Sequence, residues 1–482
     1  MTQWDVFWGL AVLGIFLLLG RMWKSRVRVF ESFFIPSSIL AGILILLLGP
    51  QVLGRGLAMV LEEGHRLTHG LFPESFATVW RSLPGLLISV VFAALFLGKP
   101  IPGIREIWFR AGPQVVFGQS LAWGQYVVGI GLCMAVLTPL FGTNELAGAL
   151  IEIGFEGGHG TAAGMAETFR QLDFEEGADL ALGLATIGLV SGVLLGTVMI
   201  NWAVRRRHIE SPGTDPVRAR DVKMPSGIDS DTVKDLAELN WQREQESRPT
   251  DPLSIHVGIV ALAVGLGWLI KEALVWVEQQ TWGGPDGVTV IGYIPLFPLA
   301  MIGGVLIQLF IDRTDQNHHI SRPLMNRISG TALDFTIVAA LGTLSLQALG
   351  DHMAPFVLLA TAGICWNLFA LMILAPRLIP LNWFHRGIGD FGQSMGVTVT
   401  GILLMRMADP NNESGALESF GYKQLMFEPI VGGGLFTAAS MPLIAEFGSS
   451  FVLMLAAGML LFWLIGGYLV FGRHIGKPAP HV

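Results

Sequence analysis

Charge is scarce in this chain. Asp, Glu, Lys and Arg make up 14% of its 482 residues, against about 25% in soluble domains, too few to coat a large water-facing surface. A soluble enzyme, a disordered chain and a secreted scaffold are excluded together. Cysteine is scarcer still. Cys133 and Cys365 both sit inside apolar runs, which leaves neither a disulfide framework nor a thiolate metal cluster. Excess positive charge is missing as well: 30 basic against 37 acidic residues give a net charge of −7, so no basic surface invites nucleic acid. What is abundant is apolar and small. Hydrophobic residues reach 52% and glycine numbers 60, and the mean hydropathy is +0.58. Membrane helices carry more Gly and Pro than soluble ones. The composition is that of an integral membrane protein in a lipid bilayer.

A hydrocarbon core of about 30 Å needs roughly 20 apolar helical residues. Runs of that kind lie near 7–19, 33–53, 86–97, 115–137, 180–204, 253–275, 293–311, 331–349, 355–374, 430–444 and 451–471. They predict about eleven helices. Asp5 lies ahead of the first run, while Arg21, Lys24, Arg26 and Arg28 follow it. A secretory signal shows the reverse order, so the run reads as a retained helix with its C-terminal end in the cytoplasm. Two further stretches, 146–168 and 387–404, are apolar but dense in glycine and polar groups. With the N-terminus outside and each of these stretches entering and leaving on one side, about 25 of the 30 basic residues face the cytoplasm, the cluster over 406–423 among them. If either stretch crossed fully, that asymmetry would collapse. Both therefore read as re-entrant hairpins.

Residues 35–45 align without gaps on 297–307: Pro36 falls on Pro298, Gly42 on Gly304, and an aliphatic triplet closes both. Five spans per half is an odd number, so equivalent helices run in opposite directions. The expected fold is an all-α integral membrane protein. It has two inverted-topology repeats of five transmembrane helices, each with a glycine-rich re-entrant hairpin, plus one extra C-terminal helix. The repeats fall at 1–204 and 252–446, separated by a charged cytoplasmic linker at 205–251 and followed by a helix and tail at 447–482. Part of the linker, 229–246, has the spacing of a short amphipathic helix; solvated linker is the plainer reading. Inverted repeats whose interrupted helices meet near the midplane recur in secondary transporters.

Unwound backbone survives at membrane depth only when it is buried in protein or lines an aqueous cavity. In the first stretch Gly154, Gly157, Gly158, Gly160 and Gly164 surround Glu156, His159 and Thr161; in the second Gly387, Gly389, Gly392, Gly396 and Gly401 surround Asp390, Gln393, Ser394, Thr398 and Thr400. Freed N–H groups can hold a carboxylate, and freed carbonyls with Thr hydroxyls suit a small hard cation such as Na⁺. Helix packing through small residues is the alternative use of these glycines. Two other patterns mislead. Gly387, Gly389 and Gly392 satisfy G-x-G-x-x-G without a preceding strand, so no dinucleotide site follows. Gly392, Ser394 and Gly396 satisfy G-x-S-x-G outside the strand–turn–helix context that a nucleophile needs; an intramembrane serine hydrolase using Ser394 with His385 or His159 is the remote reading. His318-His319 has no ligand-spaced partner and reads as solvated.

The residues resemble the bacterial glutamate:sodium symporters. The likeness rests on the helix after Ile35-Pro36 with its Ala41-Gly42 pair, the block 157–161, the helix containing 182–190, and Gly392, Gly396, Thr398 and Thr400. Ser394 stands where the better-known members have glycine, and Val399 where they have proline. The resemblance implies a Na⁺-coupled uptake carrier for L-glutamate, without organic cofactor, forming a homodimer in the bacterial inner membrane and working by an elevator-like movement. A carrier of another carboxylate anion, or one driven by H⁺, is the alternative. On this view Gly157, Gly158, His159, Gly160, Thr161, Gln393, Ser394, Gly396, Thr398 and Thr400 bind the anionic substrate. Glu156, Thr161, Asp390, Thr398 and Thr400 are the Na⁺ candidates. Gln119, Gln125 and Asn367 lie in apolar helices and either line the cavity or bond between helices. Glutamate enters with a net charge of −1 against an interior-negative potential. A single Na⁺ only cancels that charge, and each further one gains about 2.3 kcal/mol per 100 mV, so more than one Na⁺ should accompany each substrate.

Overall fold

Each of the apolar runs contributes a helix to the computed structural model, which describes residues 2–27, 30, 35–61, 65–209, 252–283, 287–314, 320–410 and 412–474. Among the described residues there is no strand. Nine helices are long and apolar enough to cross a bilayer among those residues: the chain is a multi-pass membrane protein. In chain order the helices used below are α1 (Gln3–Arg26), α2 (Ser37–Leu48), α3 (Glu74–Ala93), α4 (Ile104–Leu132), α5 (Leu150–Phe155), α6 (Gly158–Gly164), α7 (Ala166–Gln171) and α8 (Glu176–Arg205). They continue with α9 (Pro252–Thr281), α10 (Leu296–Arg313), α11 (Arg322–Gly342), α12 (Met353–Phe369), α13 (Trp383–Ala408), α14 (Ala416–Phe427), α15 (Leu435–Phe447) and α16 (Ser449–Val470). Most of the charged linker, including the helix expected over 229–246, and the His318-His319 pair lie outside the described residues.

Two of the eleven expected spans differ from simple crossings. The run 331–349 belongs to α11, which begins at Arg322 behind a Ser321 cap and carries Arg322, Arg327 and Asp334. The run 430–444 yields α15, whose 13 residues reach only about 20 Å at 1.5 Å per residue. The run 86–97 is also displaced, because Pro73 starts α3 early and Arg322 ends it. The Arg322 guanidinium donates to the carbonyls of Ala94 and Leu97 at 2.9 and 2.7 Å, taking up acceptors that a helix end leaves free.

The packing of the first three helices of each half is reciprocal. α1 lies against α2 and α9 against α10; α2 lies against α11, and α10 against α3. Glycines permit these approaches. A methyl group on Gly42 would come 2.6 Å from Cβ of Leu341 in α11, and one on Gly304, its aligned partner, would strike the carbonyl oxygen of Ala93 in α3. Likewise Gly20 of α1 faces Ala41 at the start of α2, and Gly267 of α9 faces Ala300 at the start of α10. Backbone cannot yield as a side chain can. Gly304→Ala is therefore expected to cost about 1–3 kcal/mol, seen as a lower melting temperature in detergent. Gly85→Ala, where a methyl would meet nothing within 4 Å, should leave it unchanged.

Two stretches break the helical order. In the first, α5 ends at Phe155 and α6 begins at Gly158, which adopts φ +69°. In the second, Gly396 (φ −157°, ψ 42°) and Val397 (φ 61°, ψ 175°) interrupt α13. The chain folds back there. A methyl on Gly392 would lie 2.8 Å from Cα of Gly401, and one on Gly389 would lie 2.6 Å from Cγ of Met405. In a straight helix, residues 392 and 401 would be separated by about 13 Å. Glycines on both arms allow that contact.

Candidate functional site

The two interruptions meet. A methyl on Gly158 would collide with Cγ1 of Val397, so the breaks in α13 and between α5 and α6 touch through backbone and one side chain. Beside this contact lies a cavity of about 650 Å³, within the usual size of a small-molecule site. Its walls come from the start of α2 (Pro36, Ser38), from Ile88 and Phe92 of α3, Leu189 of α8 and Asp334 of α11, with Glu428 and Gly432 closing one side.

Of the residues expected from sequence, Glu156, Gly157, His159, Gly160, Thr161, Gly396, Thr398 and Thr400 line this cavity. Gly158 forms the contact between the breaks. Asp390, Gln393 and Ser394 are fully or almost fully buried and do not line it. Asp390 is paired with Lys423 at 3.0 Å, neither side chain having exposed surface. Gln393 accepts from Lys423 Nζ at 2.8 Å. The Ser394 carbonyl accepts from Gln125 at 2.8 Å and from Asn367 at 2.9 Å, so those two helix-borne amides hold the backbone just before the break. Gln119 accepts from Trp123 Nε1 at 2.9 Å within α4.

His159 Nε2 lies 3.0 Å from Thr186 Oγ1. The threonine hydroxyl gives its single proton to the Leu182 carbonyl at 3.0 Å, so it accepts and His159 Nε2 donates. The Ser394 hydroxyl, buried and without a close hydrogen-bond partner, faces the Glu156 carboxylate, and no nucleophile–base pair is formed with His159.

Three residues that hydropathy passes over build the rest of the site. Glu428 Oε1 accepts from Thr398 at 3.1 Å, joining the second break to the end of α14. Glu152 of α5 is wholly buried and accepts from Tyr126 OH at 2.6 Å, from Gly432 N at 2.8 Å and from Thr437 Oγ1 at 2.8 Å. Those bonds pin the turn of Gly432 and Gly433, both at positive φ, against the cavity. Lys423 is the third. A usable sequence signal did exist: Glu428 precedes Gly432, Gly433 and Gly434 just ahead of a short helix, much as Glu156 precedes Gly157 and Gly158.

The chemistry of the wall is oxygen-rich. Both carboxylate oxygens of Glu156, 2% exposed, and the hydroxyl of Thr161 are buried without a close hydrogen-bond partner, the Ser394 hydroxyl being the group that faces the Glu156 carboxylate. Buried polar atoms are seldom left so, and a carboxylate and a hydroxyl lining one cavity are donors suited to a hard monovalent cation. Among the described residues no group of three His, Cys, Asp or Glu is arranged to hold a metal ion.

Comparison with known proteins places this geometry. Residues 114–407, which contain both interruptions, match the family model described as sodium/glutamate symporter. The sodium/glutamate symporter of Haemophilus influenzae is 28% identical over 437 residues, covering 88% of this chain and 92% of that protein. The sodium/glutamate symporter of Escherichia coli K12 is 29% identical over 440 residues, covering 90% of this chain and 94% of that one. The chain is thus a membrane carrier rather than an enzyme, and it belongs to the sodium/glutamate symporter family.

Proposed function

We propose that this protein imports L-glutamate together with Na⁺ through the cavity where the two helix interruptions meet. The observation that carries the reading is the Gly158–Val397 contact beside a cavity in which Glu156 and Thr161 keep buried oxygens unpaired. The backbone N–H groups around 157–161 and 396–400 hold the substrate carboxylates, as helix starts do, and His159 helps to position them. Glu156, Thr161, Thr398, Thr400 and, beyond the sequence reading, Glu428 supply oxygens for Na⁺.

Electrostatics gives coupling a cause. Glu156, Asp334 and Glu428 line the cavity against one basic side chain, Lys24, so acidic groups outnumber basic ones in the wall, and a unit charge about 5 Å from a like charge costs roughly 3 kcal/mol at an effective dielectric of about 20. An anionic substrate is thus repelled until cations neutralise the wall. Na⁺ and glutamate then bind together or not at all, which is what a symporter requires.

The reciprocal packing of α2 on α11 and α10 on α3, with aligned Gly42 and Gly304 at the contacts, supports two inverted repeats. The fold-back of α13 and the break at 156–158 support re-entrant hairpins, which in this reading enter from opposite faces. In this reading the N-terminus is outside, the C-terminus is in the cytoplasm of a bacterial inner membrane, the carrier is a homodimer, and the cavity changes sides by an elevator-like movement. More than one Na⁺ moves per glutamate.

Reconstituted into proteoliposomes, the protein should accumulate radiolabelled L-glutamate down an inward Na⁺ gradient and not a K⁺ gradient. Unlabelled L-glutamate should compete, and di- and tricarboxylates should not. Uptake driven equally by K⁺ would end the reading. A reversal potential showing electroneutral transport would end the stoichiometry alone.

A further inference from the structure

Lys423 is a cation in an unusual place. Its side chain has no exposed surface, and its Nζ lies 3.0 Å from Asp390 Oδ1, 2.8 Å from Gln393 Oε1 and 3.9 Å from the centroid of the Phe427 ring. One carboxylate oxygen, one amide oxygen and an aromatic face are the surroundings of a desolvated monovalent cation. α4 makes room for it: a methyl on Gly118 would lie 2.6 Å from Cε and 2.8 Å from Nζ of Lys423. The other Asp390 oxygen is buried without a close partner; Gln114 and the Arg386 guanidinium face the carboxylate from beyond ion-pair distance, so Lys423 is the cation that pairs with it. The pair also sits directly behind the transport cavity. Gln393 reaches Gln424 at 3.3 Å and Glu428 at 3.5 Å, and Gln424 donates to Thr398 at 3.1 Å, so the ammonium is linked through Gln393 to Glu428 and Thr398, which both line the cavity.

We propose that Lys423 is a tethered substitute for a coupling ion. It supplies at Asp390 the positive charge that a free alkali cation would otherwise have to bring, and it thereby sets how many ions the carrier moves. This rests on the carrier reading above. A buried pair broken on one side leaves an uncompensated charge, and an Asp390 without its ammonium recruits the small cation present in excess.

Lys423→Gln in the full-length protein tests it. The readouts are the Na⁺ dependence of melting in detergent, with choline replacing Na⁺ at constant ionic strength, and the reversal potential in proteoliposomes. The expected result is a Na⁺ order higher by about one ion than in the unmodified protein, with one more positive charge moved per cycle. Asp390→Asn/Lys423→Gln, which removes both charges, should return both values to the original. A purely structural pair would move stability and leave the ion count alone. Should Lys423→Gln unfold in choline chloride, NaCl is expected to refold it. An unchanged Na⁺ order overturns the proposal, as does a variant that stays unfolded at every NaCl concentration. An unmodified protein indifferent to Na⁺ would instead remove the carrier reading itself.

Discussion

Gly158→Ala is expected to lower Na⁺-driven glutamate uptake by about a hundredfold or more, with protein yield little changed. Two costs add at this position. An L-residue at φ +69° carries about 1–2 kcal/mol of backbone strain, and the new methyl collides with Val397, for which overpacking costs about 1–3 kcal/mol more. Each 1.4 kcal/mol is about tenfold. The breaks would be pushed apart where the carboxylates of the substrate are held. Val397 is itself a β-branched residue at φ 61°, a rare state, so Val397→Gly relieves strain and collision together. The double variant Gly158→Ala/Val397→Gly should recover part of the lost uptake, measured as initial rates in proteoliposomes. A Gly158→Ala protein transporting normally would show that the contact is incidental.

Glu156→Gln is expected to separate the two transported species. A unit charge about 3 Å from a cation is worth several kcal/mol at an effective dielectric of about 20. The Na⁺ concentration for half-maximal uptake should therefore rise at least about a hundredfold. The sign for glutamate is opposite: with one wall carboxylate gone, repulsion falls, and binding of L-glutamate without Na⁺ should strengthen. Calorimetric titration of L-glutamate into the purified variant, with and without NaCl, checks both signs. Parallel weakening of both ligands would point to a merely structural Glu156.

Much of this architecture was legible in the residues. Hydropathy located every membrane-crossing helix among the described residues, because lipid offers no other partner for apolar side chains and backbone polar groups must pair within a helix, but it passed over α14. The glycine-dense blocks at 154–164 and 387–401 betrayed both interruptions, since glycine at that density weakens a helix unless the backbone has another use. What escaped were contacts between distant residues. Lys423 stood in a basic cluster counted as cytoplasmic, yet it has no exposed surface; hydropathy cannot see that Asp390, 33 positions away, and Gly118 make a place for it. Asp390 was for the same reason assigned to an ion rather than to a lysine. Glu152 and Glu428 were hidden by their apolar neighbours. The bounds of α11 and α15 escaped because a serine cap followed by Pro323, and glycines at 434 and 448, set their ends rather than hydropathy.

The central claim is that one cavity, shared by the two interruptions, holds Na⁺ and glutamate together. A cryo-electron microscopy structure of the purified protein in NaCl and L-glutamate tests it most directly. The account predicts substrate density bridging the backbone of 157–161 and 396–400, with a cation touching Glu156 and Thr161. Substrate bound elsewhere, or bound with Gly158 and Val397 apart and no ion at Glu156, would contradict it.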